Sequence, residues 1–410
     1  MAKSGRVKVG VVGCGVVATA YYLPYLMRHA DLVAVCDLYE SRTAACARLF
    51  GAKEQYQDYG EMIRHADIEA VWILTAPGTH ARFAIQAAEA GKHILLQKPM
   101  CTTLEDAHAI VEAVRRDGVK CLVEPSANSP LDPAYPPLRA LIERGALGEP
   151  MWFVYTPTGP TVYHPSLAGN PYGLSAFYAK DSGGVLFDYA YFPTQIVTLL
   201  GPCKSVMGMA KISLPDRYIV PEEEYDKFLA NVADPDAANY WDVVLDLERS
   251  QYVRMESEDN VFCLFEMAND AIGCIHAGRI FHPTLPGVGG GGLQIFGTDG
   301  NLICGGGYLA SIISRHKEML PRLDADGWYH VPLRGDPSKA KWPQPTPGGF
   351  NYYHASSQHL LDCIREDREP LLNAEWGRHI TEMMVGAMVS SRTGERYRMT
   401  TTLDGVVTVP

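Results

Sequence analysis

One run near the start, Gly10-Val11-Val12-Gly13-Cys14-Gly15-Val16-Val17-Ala18, constrains this chain more than any other. Arg6-Val7-Lys8-Val9 leads into it as a short strand, and Ala18-Thr19-Ala20-Tyr21-Tyr22-Leu23 leads out as a helix start. Strand, tight glycine turn and helix N-terminus together make a cradle for a diphosphate. Gly13 permits the turn, Gly15 lets the backbone approach the phosphates, Ala18 keeps helix and strand close, and the helix dipole favours the anion. The pattern Gly-x-Gly-x-x-Ala is weak evidence by itself. It gains force from Asp37, which closes a second apolar strand (Leu32-Val33-Ala34-Val35-Cys36) about 20 residues on, where a ribose-binding carboxylate belongs. Such a carboxylate repels a 2′-phosphate, so NAD is expected rather than NADP. Leu38 offers no hydroxyl to a phosphate, and Arg42 stands a helical turn further on.

Strand and helix patterns alternate through residues 1–125 as in a doubly wound parallel sheet. Val71-Trp72-Ile73-Leu74 runs into Thr75-Ala76-Pro77-Gly78-Thr79-His80, and a helix is expected over Ala81 to Ala90, stopped by Gly91. His93-Ile94-Leu95-Leu96 then delivers Gln97-Lys98-Pro99; a helix from Leu104 to Arg116 and a strand from Val119 to Val123 follow. Loops after strand carboxyl ends are where an open α/β sheet binds its ligand, and Thr75, His80 and Lys98 lie just beyond such ends. The proline-rich stretch from Glu124 to Pro137 marks the boundary between a first domain, 1–125, and a second, 126–410. In the second, strand-like runs (Met151 to Tyr155, Val206 to Ile212, Asp242 to Leu247, Val261 to Met267, Ile272 to Ala277, Leu293 to Phe296) are broken by turns, as in a mainly antiparallel sheet. Helices are expected over Leu138 to Arg144 and Ala374 to Ser391. Gly287 to Gly292 reads as a loop, since a strand-like run rather than a helix follows it.

The net charge of −11 argues against a nucleic-acid partner or an anionic membrane surface, both of which want basic patches. Ten scattered cysteines without a Cys-x-x-Cys pair fit a reducing compartment. The first five residues run straight into the first strand and leave no room for a signal peptide, and the most apolar long run, Val185 to Leu200, carries Asp188, Pro193 and Gln195. A cytoplasmic protein is expected. The histidines show no metal-ligand spacing, so no metal site is expected.

Two side chains outside the glycine turn invite chemistry. Lys98 is either a solvated loop charge or, at the ligand edge of the sheet with Pro99 fixing its backbone, an acid–base group beside a nicotinamide. Asp188 lies in a strongly apolar run, and an isolated buried carboxylate is costly. It is therefore paired, solvent-lined or functional, and a carboxylate that merely bridges the domains is the alternative. If its run is helical, Asp188, Tyr191, Phe192 and Gln195 share a face, provided that Pro193 falls in a first turn. His164, His276 and His282 are weaker candidates.

These stretches resemble the glucose–fructose oxidoreductase/inositol dehydrogenase/MocA family of NAD(P)-dependent oxidoreductases. Val9 to Ala18, Leu74 to His80 through Gly91 to Met100, and Asp132-Pro133-Ala134-Tyr135 with Gly145 to Pro150 carry the likeness. Gly183 to Asp188 and Gly297-Thr298-Asp299-Gly300 extend it into the second domain. The resemblance implies an N-terminal Rossmann domain and a C-terminal α+β domain whose open, mainly antiparallel sheet often forms a subunit interface, hence a homodimer or homotetramer. It implies a sugar, cyclitol or related polyol substrate, with the Lys98 equivalent touching the reacting hydroxyl. Three departures stand out: Gln97 where the family has glutamate, Ala190 where it has glycine, and Phe192 where it commonly has histidine. Phe192 cannot exchange a proton, which leaves Lys98 alone, or Lys98 with Tyr191 or a loop residue such as His164. The chain also carries extra material around Val220 to Glu256 and Gly305 to Phe350, which suits a bulky substrate such as a glycoside.

The expectation is therefore hydride transfer between NAD and a secondary hydroxyl or ketone of a sugar, cyclitol or glycoside. Lys98, Asp188 and Tyr191 are the catalytic candidates. Gly13, Gly15, Val16, Val17, Asp37, Thr75, Pro77, His80, Gln97 and Lys98 are the cofactor-binding candidates. Two alternatives remain: redox-neutral cleavage or isomerisation through a transient keto-sugar, and a non-catalytic NAD-binding sensor.

Overall fold

The central strands of the first sheet are too apolar to leave in water. A computed structural model describes residues 5–156, 179–218, 252–278, 292–305, 309–332 and 351–403. Its N-terminal part contains β1 (Lys8–Val12), β2 (Asp31–Cys36), β3 (Glu54–Tyr56), β4 (Ala70–Ile73), β5 (His93–Leu96) and β6 (Cys121–Val123). All pair in parallel in the order β3-β2-β1-β4-β5-β6. Ile94, Leu95 and Leu96 are wholly buried, as befits a strand covered on both faces. The covering helices are α1 (Leu23–His29), α2 (Glu40–Phe50), α3 (Tyr59–His65), α4 (Pro77–Glu89) and α5 (Leu104–Asp117). Strand order reverses between β1 and β4, so their carboxyl ends, at Gly13 and Leu74, flank the crevice where such sheets take their ligands.

After α6 (Tyr135–Glu143) comes β7 (Pro150–Thr156), which lies at the middle of a second sheet. Then α7 (Val185–Asp188), α8 (Tyr191–Leu200) and β8 (Cys203–Lys211) follow, with a small pair formed by β9 (Asp216–Tyr218) and β10 (Tyr252–Arg254). The rest of the sheet comes from β11 (Asn260–Met267), β12 (Ile272–Gly278), β13 (Gly292–Gly297), β14 (Gly300–Gly305), β15 (Leu309–Ser314) and β16 (Trp328–Pro332). Helices α9 (Tyr352–Glu366) and α10 (Ala374–Thr393) precede a last short strand, β17 (Tyr397–Arg398). The nine strands run β16-β15-β14-β13-β7-β12-β11-β8-β17. Only the β7–β12 pairing is parallel, so the sheet is mixed but mainly antiparallel.

One face of this sheet is core and the other is open. Along β11, Val261, Cys263, Phe265 and Met267 point inward, while Phe262 and Leu264 stand 53% and 57% exposed. Pairing aligns Met209, Phe262 and His276 across the open face, with Trp152 and Phe296 stacked at 4.0 Å nearby. The inner face is covered in part by α10, which packs on β8 and also on α5 of the first sheet. The chain thus returns to the N-terminal half. Asn351 caps α9 by accepting from the His354 amide at 3.2 Å, and the Trp72 indole donates to Ser357 at 3.2 Å.

Sequence and structure differ mostly at element ends. The helix expected at Ala81 starts at Pro77, and the one expected at Leu138 starts at Tyr135 with prolines in its first turn, where their missing N–H groups would be unpaired anyway. The chain after Gly305, read as loop, supplies β15 and β16 at the sheet edge: Ala310, Ile312 and Ser314 alternate inward, a strand period hidden among glycine and proline. The expected strand Asp242 to Leu247 and most of the Gly287 to Gly292 run lie outside the described residues.

Candidate active site

The glycine turn is shaped by what surrounds it. The Gly13 amide donates to the Cys36 carbonyl at 2.8 Å with φ at +91°, and a Cβ there would meet the Leu74 carbonyl oxygen at 2.6 Å. At Gly15 an added Cβ would meet nothing within 4 Å, so its backbone faces open space. Val16 and Val17 flank that opening, 50% and 37% exposed, while Ala18 is fully buried. The chain then takes a π-turn, Ala18–Tyr22, before α1, in place of the plain helix start expected. A diphosphate fits the open backbone at Gly15.

Asp37 stands at the end of β2, almost fully buried. It accepts from the Cys14 amide at 2.8 Å and from the Tyr39 amide at 3.0 Å. A carboxylate offers about four acceptor positions, so capacity remains for ribose hydroxyls. The Arg42 guanidinium lies 3.8 Å from this carboxylate and 4.6 Å from the Tyr39 ring centroid.

His80 is wholly enclosed, facing the loops and not the crevice. Its Nδ1 is 2.7 Å from the Pro99 carbonyl oxygen and its Nε2 3.0 Å from that of Thr75. It buckles the loop after β4 to the loop after β5. Burial lowers its pKa, and the two carbonyls oppose that shift. Pro77 is buried in the first turn of α4, and the Thr75 hydroxyl lies 2.7 Å from that of Thr79.

Lys98 and Asp188, 90 residues apart in sequence, meet directly. The ammonium donates to the Asp188 carboxylate at 2.7 Å and to the Asp188 backbone carbonyl at 3.0 Å; each side chain is only 12% exposed. It also lies 5.3 Å from the Tyr191 ring centroid. The Lys98–Pro99 peptide is cis. Asp188 and Tyr191 do not share one helix face, because α7 ends at Asp188 and α8 begins at Tyr191. That break leaves a helix-end carbonyl for the ammonium and puts Pro193 in the first turn of α8.

Tyr191 is partly buried, and desolvation, with Tyr352 and Glu124 nearby, pushes its pKa well above the usual phenol range. It is a phenol at neutral pH and can donate or accept a hydrogen bond. Phe192 lies in the core, its ring 4.1 Å from Tyr155 and 4.8 Å from Tyr189. Of the histidines, His276 is on the open face of the second sheet, stacked 4.0 Å from Phe262 and 2.9 Å from Asn260, away from Lys98. His164 and His282 lie outside the described residues, as does most of the extra material at Val220 to Glu256.

Sequence reasoning singled out Gln97 but missed Tyr22 and Glu124 behind it. Gln97 accepts from the Lys98 amide at 2.9 Å and donates to the Tyr22 hydroxyl at 2.9 Å, and Tyr22 donates to Glu124 at 2.9 Å. Burial raises the pKa of Glu124; hydrogen bonds from Ser356, Ser126 and Tyr22 work against that rise. The one sequence signal was that Gln97-Lys98-Pro99 and Glu124-Pro125 both put a polar residue and a proline at a strand end.

Comparison with known proteins gives the family. Residues 7–124 match the family model described as "Oxidoreductase family, NAD-binding Rossmann fold", and residues 135–303 match the GFO/IDH/MocA C-terminal domain. Inositol 2-dehydrogenase 3 of Saccharopolyspora erythraea is 33% identical over 167 residues, 40% of this chain and 49% of the relative. The scyllo-inositol 2-dehydrogenase (NAD(+)) of Bacillus subtilis is 31% identical over 213 residues, 50% of this chain and 58% of the relative. The chain thus spans about half the length of the curated relatives it matches. In fold it is similar to levoglucosan dehydrogenase solved with NADH and levoglucosan, with a TM-score of 0.73 and 20% identity over 97% of this chain and 100% of the other. With residues 7–124 and 135–303 matched, the chain belongs to the glucose–fructose oxidoreductase/inositol dehydrogenase/MocA family, and its first domain is that family's NAD-binding Rossmann fold.

Proposed function

We propose that this protein is a dehydrogenase that moves a hydride between NAD and a secondary carbinol of a sugar, cyclitol or glycoside. The observation that carries the reading is the Lys98–Asp188 pair, set at the carboxyl end of β5 in the half of the molecule that takes NAD. Bound NAD supplies the hydride acceptor. Lys98 binds the reacting oxygen and exchanges a proton with it, while Asp188 holds the ammonium in place through two contacts. The Tyr191 ring flanks one side of the amine, 5.3 Å from ammonium to ring centroid. The inositol and levoglucosan dehydrogenases among its relatives support a polyol or sugar substrate.

The test is a panel of cyclitols, aldoses, anhydro-sugars and glycosides incubated with the protein and NAD. Steady NADH formation with at least one of them is expected. NAD binding without NADH formation from any compound would refute the assignment, and altered sugar without NADH would replace it with the redox-neutral route.

We also propose a homodimer or homotetramer formed on the open sheet face, where Met209, Ile272, Leu264 and Phe262 are each more than half exposed. Sedimentation should show an oligomer for the native chain and a smaller species for Phe262→Glu with Leu264→Glu; a monomeric native chain would exclude the interface. All ten cysteines are unbridged, which fits the cytoplasm.

A further inference from the structure

We infer that Glu124 is a positioning residue for Lys98, acting through a one-directional chain of hydrogen bonds that runs through Tyr22 and Gln97. The inference rests on the reading of Lys98 as the proton-exchanging group. Every bond in the chain has its direction fixed by the chemistry of its ends. The Lys98 amide can only donate, so Gln97 turns its oxygen toward it, leaving the NH2 group to donate to the Tyr22 oxygen. Tyr22 has a single hydrogen, and it goes to Glu124. The other oxygen of Glu124 accepts from the Ser126 amide. Tyr22 is wholly buried, and Glu124 and Gln97 are 3% and 8% exposed, so water does not compete with these bonds.

The chain joins three elements that a working site must hold in register. Glu124 follows β6, Gln97 follows β5, and Tyr22 closes the π-turn that begins at the glycine cradle. Among the described residues no lysine or arginine side chain pairs with Glu124, so hydrogen bonds alone hold this buried carboxylate. That is an expensive arrangement for a group with only a packing role.

The chain also accounts for the amide at position 97. One acid and one amide at positions 97 and 124 satisfy each bond along the chain. Two acids would leave the Tyr22 oxygen facing a lone pair. Two amides would turn the NH2 group of residue 124 against the Ser126 amide, donor to donor. Exchanging acid and amide restores full pairing with the direction reversed. A carboxylate at position 97 would accept from both the Lys98 amide and Tyr22, and an amide at position 124 would donate to Tyr22 and accept from Ser126.

Trace acetylation with acetic anhydride, mapped by mass spectrometry on the full chain, tests this without any substrate. Lys53, with a side chain 60% exposed, is the reference, and Lys120, at 13%, is as shielded as Lys98 and reports on general loosening. Tyr22→Phe, Gln97→Glu and Glu124→Gln should each raise Lys98 labelling relative to Lys53 by roughly fivefold, with Lys120 unchanged. The exchange Gln97→Glu with Glu124→Gln should return Lys98 to within about twofold of the native ratio. Unchanged Lys98 labelling in the single variants, a parallel rise at Lys120, or an exchange that fails to restore the ratio would each overturn the inference. Should a charged variant fold poorly, Tyr22→Phe carries the test alone, since it removes one hydroxyl. Because the readout is the position of Lys98 and not turnover, loss of the dehydrogenase reading would show in the substrate panel and leave this labelling pattern intact.

Discussion

Lys98→Ala is expected to lower turnover by about a thousandfold while leaving NAD affinity within about threefold of the native value. The asymmetry follows from where the lysine sits. Its ammonium is engaged by Asp188 across the domains, whereas the glycine turn and Asp37 contact each other and not the lysine. Loss of the amine removes the group that exchanges a proton with the carbinol oxygen, at a cost of about 4 kcal/mol in activation free energy. It also leaves the Asp188 carboxylate, 12% exposed, without its cation. Lys98→Arg sharpens the reading. Arginine keeps the charge beside Asp188 but cannot give up a proton near neutral pH, so NAD binding should persist and turnover should stay low. Rate measurements on the substrate that emerges from the panel, paired with calorimetric titration of NAD, check both variants. Turnover retained by Lys98→Ala would remove the lysine from the chemistry.

Asp37 governs the other large effect, which is cofactor choice. Asp37→Ala should weaken NAD binding by about 2 kcal/mol, roughly thirtyfold, through loss of charge-assisted bonds to the ribose. Part of that loss is indirect, because the Asp37 carboxylate also accepts from the Cys14 amide inside the glycine turn at 2.8 Å. Asp37→Asn separates the two contributions. Its amide oxygen can still take the Cys14 N–H and hold the turn, giving up the bond from the Tyr39 amide, while the negative charge that repels a 2′-phosphate is gone. NADP should therefore gain on NAD in Asp37→Asn, with the neighbouring Arg42 guanidinium, now 3.8 Å from the carboxylate, released toward the added phosphate. An unchanged NAD-to-NADP ratio in that variant would mean that the selection lies elsewhere.

The parts of this molecule that were readable in the sequence are those written locally. A glycine turn needs neighbours only a few residues away, and Asp37 ends the very next strand, so cradle and ribose carboxylate could be placed together. Lys98 and Asp188 were each singled out on their own merits, one for its place at a sheet edge and one for the cost of burying a carboxylate. No spacing rule joins residues 90 positions apart, and their contact appears only when the second domain closes on the first. The chain from Glu124 to Tyr22 spans 102 positions and left still less trace. Tyr21 and Tyr22 read as ordinary helix-start aromatics, yet both pack against Tyr353, from a helix that follows the Pro- and Gly-rich stretch. Position 192 shows the opposite case. The departure to phenylalanine was plain in the sequence, and in the structure the ring packs between those of Tyr155 and Tyr189.

Isotope transfer tests the central claim most directly. A sugar or cyclitol that supports NADH formation is deuterated at its carbinol carbon and turned over by the native protein, and the recovered nicotinamide is examined by mass spectrometry. Direct hydride transfer predicts one deuterium in each NADH, with about a thousandfold less NADH formed when Lys98→Ala replaces the native chain. NADH that carries no deuterium would contradict direct hydride transfer from the carbinol carbon and with it the dehydrogenase assignment.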